Sequence, residues 1–155
     1  MTGPVFVDTN VLVYRHDAAD AAKQTRAESW INYIVDLRAG RLSYQVLQEL
    51  YATLTRKLQP KLARQEARDI VRLLASWNPL AIDMHLIKRA WDLQDRYSLS
   101  WWDALIVAAA QAAECRVLLT EDLQHGQVFG NVRAVDPFAS PERTPAELLA
   151  GMEAE

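Results

Sequence analysis

An α/β fold, with a short, mostly parallel sheet flanked by helices, is what this sequence predicts. Apolar and β-branched runs at residues 5–7, 116–120 and 132–135 alternate with longer segments of helical periodicity. The chain has 155 residues, 50% of them hydrophobic, which suits one domain with a full core. Neither an internal repeat nor a low-complexity tract interrupts the alternation.

Each element has its own local cause. Val5, Phe6 and Val7, followed by Val11, Leu12 and Val13, read as a buried parallel-type strand leading into a turn, with Asp8 where the strand leaves the core. Residues 18–38 place Ala27, Trp30, Ile31, Ile34 and Val35 on one helical face, and Gly40 follows the helix end. Residues 42–43 allow only a very short strand or turn. Residues 44–58 repeat Leu47, Leu50, Tyr51, Leu54 and Leu58 at helical spacing until Pro60. Residues 61–77 repeat Ala67, Ile70, Val71 and Leu74 and stop at Asn78 and Pro79, so these two helices form a hairpin. A short strand fits residues 80–82. Helices fit residues 85–97 and the Ala-rich residues 100–114, whose small side chains suit close packing on several sides.

The strand at 116–120 runs into the acids Glu121 and Asp122, and a last strand fits 132–135. Beyond Asp136, Pro137 and Phe138 the chain turns polar. Thr144, Pro145 and Glu147 then spell a capping box with proline at the first helical position. The expected organisation is one domain over residues 1–138 and a C-terminal tail, 139–155, with a short helix.

Composition excludes several classes. The apolar runs fall short of the roughly 18 residues of a membrane span, and the N-terminus lacks a signal-peptide pattern, so a cytoplasmic protein with no membrane partner is expected. The single cysteine, Cys115, rules out an internal disulfide and a Cys-based metal site. His16, His85 and His125 share no metal-ligand spacing. His125 reads as loop structure. The net charge of −3 argues against holding nucleic acid by bulk electrostatics alone. Charge is uneven, however: residues 1–78 carry 11 Lys/Arg against 8 Asp/Glu, and residues 79–155 carry 6 against 12. That is compatible with an acidic site beside a basic flank.

Asp8 and Asp122 both follow predicted parallel strands and so open on the same sheet edge, where α/β folds place their ligand crevice. Asp8 is equally well suited to cap the helix that follows. Asp103 follows Ser100 by three residues, the spacing of a capping box, and a carboxylate held at a helix N-terminus is also oriented for a metal. Glu49 falls opposite the stripe of Leu47, Leu54 and Leu58, so periodicity alone leaves it in solvent. Trp101 and Trp102 read as core anchors. Arg64, Arg68 and Arg72 form one helical ridge, either a solvated face laced with Glu66 and Asp69 or a track for the phosphates of a nucleic acid.

Asp8-Thr9-Asn10 after a strand, Gln48-Glu49-Leu50 on an early helix, Trp102-Asp103-Ala104 opening a late one and Thr120-Glu121-Asp122 after a later strand resemble the PIN-domain ribonucleases. Within them the chain looks most like the VapC toxins of type II toxin–antitoxin modules. The resemblance covers residues 4 to about 138. It implies a three-layer α/β/α fold and a metal-dependent endoribonuclease, with Asp8, Glu49, Asp103 and Asp122 binding Mg²⁺ or Mn²⁺. Asp122 fits the fourth place better than Glu121 by register, with the adjacent Glu121 as the alternative. Thr9, Asn10, Ser43 and Thr120 match small polar positions that orient the acids or their waters, and serve equally well as turn and cap residues. The resemblance also implies a homodimer and a VapB-like antitoxin that blocks the acidic crevice. The competing functions are a PIN ribonuclease in RNA processing, a catalytically silent PIN-like binding module, and a phosphotransfer protein. The last is weakened because Asp8-Thr9-Asn10 lacks a second aspartate two residues on.

Overall fold

The computed structural model describes residues 3–153. Its elements run β1 (Val5–Val7), α1 (Thr9–Tyr14), α2 (Ala21–Asp36), β2 (Gly40–Arg41), α3 (Tyr44–Arg56), α4 (Arg64–Leu74), α5 (Met84–Tyr97), α6 (Trp101–Ala112), β3 (Val117–Leu119), β4 (Val128–Phe129), β5 (Val132–Val135) and α7 (Pro145–Glu153). A 3₁₀ turn, Ala75–Trp77, extends α4.

The sheet order is β2-β1-β3-β5-β4, parallel throughout except for the final β4–β5 pair. Successive strand side chains point to opposite faces, and all three residues of β1 and of β3 are buried, so helices cover the sheet on both sides. This is the three-layer α/β/α arrangement. Helix α6, buried from Ala104 to Ala110, packs on β3 and β5 and pairs with α5. Its small side chains permit that close approach. Among the described residues, Trp30, Phe6, Phe129 and Ile31 are the largest wholly buried side chains.

Several expectations shift at their edges for identifiable reasons. Val11 to Val13 lie in α1 rather than in a strand extension, because Asp8 already caps that helix. The edge strand falls at Gly40–Arg41, while Ser43 keeps only an isolated bridge to Leu80. The predicted strand at 80–82 shrinks to that bridge, since Asp83 caps α5 and leaves nothing to extend. Strand β4 is absent from the sequence-based expectations. Its signal is the Gly130-Asn131 pair between Val128-Phe129 and Val132, with Gly130 at φ 62°, a conformation glycine adopts without strain.

The C-terminal segment is tied to the rest of the chain. Arg26 donates to the carbonyls of Pro137 and Ser140 at 2.7 and 2.9 Å, and α7 packs on α2 with Leu148 and Leu149 buried.

Candidate active site

Register brings the first residues of the site together. Val7 pairs with Leu119, and the ladder continues one step further as Asp8 N–H donates to the Leu119 carbonyl at 3.0 Å. Asp8 and Thr120 therefore leave adjacent parallel strands side by side. Thr120, wholly buried, donates its hydroxyl to Asp8 Oδ2 at 2.8 Å, and the Thr9 N–H donates to Oδ1 at 2.7 Å. The two readings of Asp8 thus coexist: it caps α1 with one oxygen and faces the strand ends with the other.

Asn10 sits at the centre of this edge. Its Nδ2 lies 3.3 Å from Asp8 Oδ2, 3.2 Å from Thr120 Oγ1 and 3.0 Å from Asp122 Oδ2, while its Oδ1 faces the Glu121 N–H at 3.4 Å. Thr120 Oγ1 also accepts the Asp122 N–H at 3.1 Å. Asp122 is thereby joined to Asp8 through one amide and one hydroxyl. Glu121 turns elsewhere, pairing with Lys23 Nζ at 2.8 Å. Lys23 lies over the Tyr14 and Phe138 rings and also donates to the Tyr14 hydroxyl at 3.3 Å. Its ammonium is stabilised above the usual lysine range, chiefly by the bond to Glu121. No periodicity singled out Lys23; only its fold partners reveal it.

Glu49 departs from its periodic expectation. It is half-buried because α1 packs on α3 and covers the face that the leucine stripe leaves open. Thr9 Oγ1 donates to Glu49 Oε2 at 3.2 Å, and Gln45 Nε2 donates to Oε1 at 2.7 Å. Gln45 is a site neighbour that the sequence reading missed. Ser43 touches no acid in this network; its buried hydroxyl accepts the Val46 N–H at 3.4 Å and so caps the helix that carries Glu49.

Asp103 opens α6, where Ser100 Oγ accepts its N–H at 3.2 Å, as the capping box requires. Trp101 packs against the core, but Trp102 is 63% exposed beside Asp103, contrary to its expected place as a core anchor. Trp102 falls on the exposed side of the first turn of α6, whose buried run begins at Ala104.

Electrostatics bind the four acids into one field. Burial pushes the Asp8 carboxyl up to about 7 against the lowering pull of Thr120 and Thr9, and the charges of Asp122 and Glu49 raise it further. Asp103 is also raised, first by burial, with the same two charges adding to it. An open cleft of about 500 Å³ runs from this edge along α1 and α3, lined by Glu49, Asp122, Val13, Thr53, Lys57 and Leu58 among others. Arg64, Arg68 and Arg72 do not line it; all three are exposed on α4, and Arg72 pairs with Asp69 at 3.1 Å. His125 Nδ1 accepts the Asp136 N–H at 3.0 Å, which is loop structure.

The donor set is all oxygen apart from the Asn10 and Gln45 amides, which suits a hard cation such as Mg²⁺ or Mn²⁺. Among the described residues no three His, Cys, Asp or Glu side chains group as ligands of a single ion. A cage built wholly from protein is therefore not what the chain offers. Mg²⁺ ordinarily takes one or two carboxylates and completes its shell with water and substrate oxygens, and separated acids joined by hydroxyls and amides fit that pattern.

Comparison with known proteins agrees with this architecture. No curated protein sequence matches the chain. Among solved structures, it is similar to a toxin–antitoxin complex from Klebsiella pneumoniae, with a TM-score of 0.63 and 19% identity over 86% of this chain and 98% of that one. It is also similar to VapC20 of Mycobacterium tuberculosis, described as a sarcin–ricin loop cleaving toxin, with a TM-score of 0.56 and 18% identity over 74% and 86% of the two chains. A third similarity is to VapBC2 of Rickettsia felis bound to a DNA fragment from its promoter, with a TM-score of 0.58 and 18% identity over 84% and 96%. At such identities the likeness establishes a shared fold. Residues 5–130, most of the chain and all four acids with it, match the PIN domain, and the chain belongs to that family.

Proposed function

We propose that this protein is a metal-dependent endoribonuclease and the toxin of a type II toxin–antitoxin pair. The observation that carries the reading is the joining of Asp8 and Asp122 through Asn10 and Thr120 at the carboxyl edge of a parallel sheet, with Glu49 and Asp103 in the same field. Of Asp8, Asp103, Asp122 and Glu49, one or two would ligate a Mg²⁺ or Mn²⁺ directly, and the others would hold its waters. When bound, such an ion lowers the pKa of water and stabilises the leaving oxygen of a phosphodiester. The protein's own part is positional. Thr120 and the Thr9 N–H fix the Asp8 carboxylate, Asn10 spaces it from Asp122, and Thr9 with Gln45 fixes Glu49. Burial holds the Asp8 carboxyl well above the ordinary carboxylate range, and a bound cation would favour its charged form.

The toxin assignment rests on the fold shared with toxin–antitoxin structures. It carries with it a homodimer, an RNA substrate, a VapB-like antitoxin seated over the acidic cleft, and a cytoplasmic location. Among the described residues no helix is long and apolar enough to cross a membrane. The test is to map RNA 5′ ends after induced expression of the wild type beside Asp8→Asn. Discrete new ends in the wild type alone are expected. Identical end profiles in the two strains would refute the reading.

A further inference from the structure

We infer that Gln45 is a positioning residue, retained to aim the Glu49 carboxylate rather than to stabilise the fold. This rests on the reading of Glu49 as a metal-site acid and deepens it.

The inference starts from an unbalanced hydrogen-bond account. Gln45 is only 6% exposed, in the first turn of α3 among Val46, Leu47 and Leu50. Its Nε2 donates to Glu49 Oε1 at 2.7 Å, yet its own Oε1 is buried with no hydrogen-bond partner among the described residues. A buried acceptor without a donor is unfavourable, and native proteins rarely keep one without a reason. Turning the amide over does not remove the problem, because Oε1 would then face the Glu49 carboxylate, acceptor against acceptor. An apolar side chain of similar length, methionine, would fill the same slot without a buried polar atom of its own, and the half-buried Glu49 Oε1 could turn to solvent. Fold stability alone therefore favours an apolar residue at this position.

What glutamine achieves is visible at Glu49. Gln45 lies one turn before it on the same helical face and donates to one carboxylate oxygen, while Thr9, from α1, donates to the other. Two donors on two different elements fix both the rotation and the tilt of the carboxylate plane. Without Gln45, Glu49 would be held by the single 3.2 Å bond from Thr9 and could swing about it. Partners of this kind, which touch a metal-binding carboxylate but not the metal, typically govern affinity by ten- to a hundredfold.

The experiment compares wild type with Gln45→Met, and with Gln45→Leu as a second apolar variant, by two readouts. One is the melting temperature of the metal-free protein; the other is Mn²⁺ affinity by calorimetry, supplemented by kcat and KM on an oligoribonucleotide. The expected result is a melting temperature equal to or above that of wild type, Mn²⁺ binding weakened about tenfold, and a loss in kcat with KM unchanged. Unchanged Mn²⁺ affinity in a folded variant would overturn the inference alone. So would a melting temperature lowered in both variants, since loosening of the fold would then account for any loss. Failure of the wild type itself to bind Mn²⁺ would overturn the metal-site reading and this inference with it.

Discussion

Thr120 Oγ1 lies 2.8 Å from Asp8 Oδ2, across 112 residues of sequence, because β1 and β3 end in register on the same sheet edge. The bond stabilises the charged form of a buried carboxylate. Thr120→Val keeps the shape and removes the donor. It is expected to cost about 1–2 kcal/mol at pH 8, and less at pH 5, where folded Asp8 is already protonated. Urea unfolding at the two pH values checks this; an equal loss at both would show that the hydroxyl serves the fold and not the charge.

Asp8 should make the metal-free protein less stable as the pH rises. Its folded carboxyl holds a proton up to about pH 7, against an ordinary value of 3.8. Between those values the native state binds more protons than the unfolded state, so stability falls with rising pH through that window and the penalty is complete above it. The penalty is on the order of a few kcal/mol. Asp8→Asn removes it, and is expected to raise the melting temperature by about 5 °C or more at pH 8, with the gap narrowing at pH 5. The same variant should lose RNA cleavage. An Asp8→Asn protein less stable than wild type at pH 8 would contradict this account.

The adjacent acids Glu121 and Asp122 should separate cleanly. Asp122 is joined to Asn10, whereas Glu121 is already occupied by Lys23. Asp122→Asn is expected to reduce cleavage about 100-fold. Glu121→Gln should leave it within about twofold and shift stability by no more than about 1 kcal/mol, as befits a partly exposed ion pair. Initial rates with Mn²⁺ on one oligoribonucleotide decide between them, and a larger loss in Glu121→Gln would reverse the assignment.

Helix α7 lies beyond the residues that match the family, yet it should behave as core. Leu149 is 2% exposed, and α7 packs on α2. Leu149→Ala is expected to cost about 2–5 kcal/mol, measured by urea unfolding with a single transition. A loss under about 0.5 kcal/mol would mark α7 as an independent appendage.

The sequence by itself determined the layered α/β class, the helix spans to within a few residues, and the placement of Asp8 and Asp122 at strand ends, because those features are local. Strand composition, the 3.6-residue repeat and capping residues act over one or two turns. The capping role of Ser100 before Asp103 was legible for the same reason. Tertiary structure alone decided the rest. Glu49 looked solvated until α1 packed over its face of α3, the partners of Glu121 and Asp122, Lys23 for one and Asn10 for the other, could not be read from a register that merely favoured Asp122, and Trp102 proved exposed although its composition suggested core. Each of these depends on what a second, distant element brings to the side chain. Periodicity reports which face of a helix is apolar, but the partner that covers the polar face is set by sheet order and register, and those arise from long-range packing.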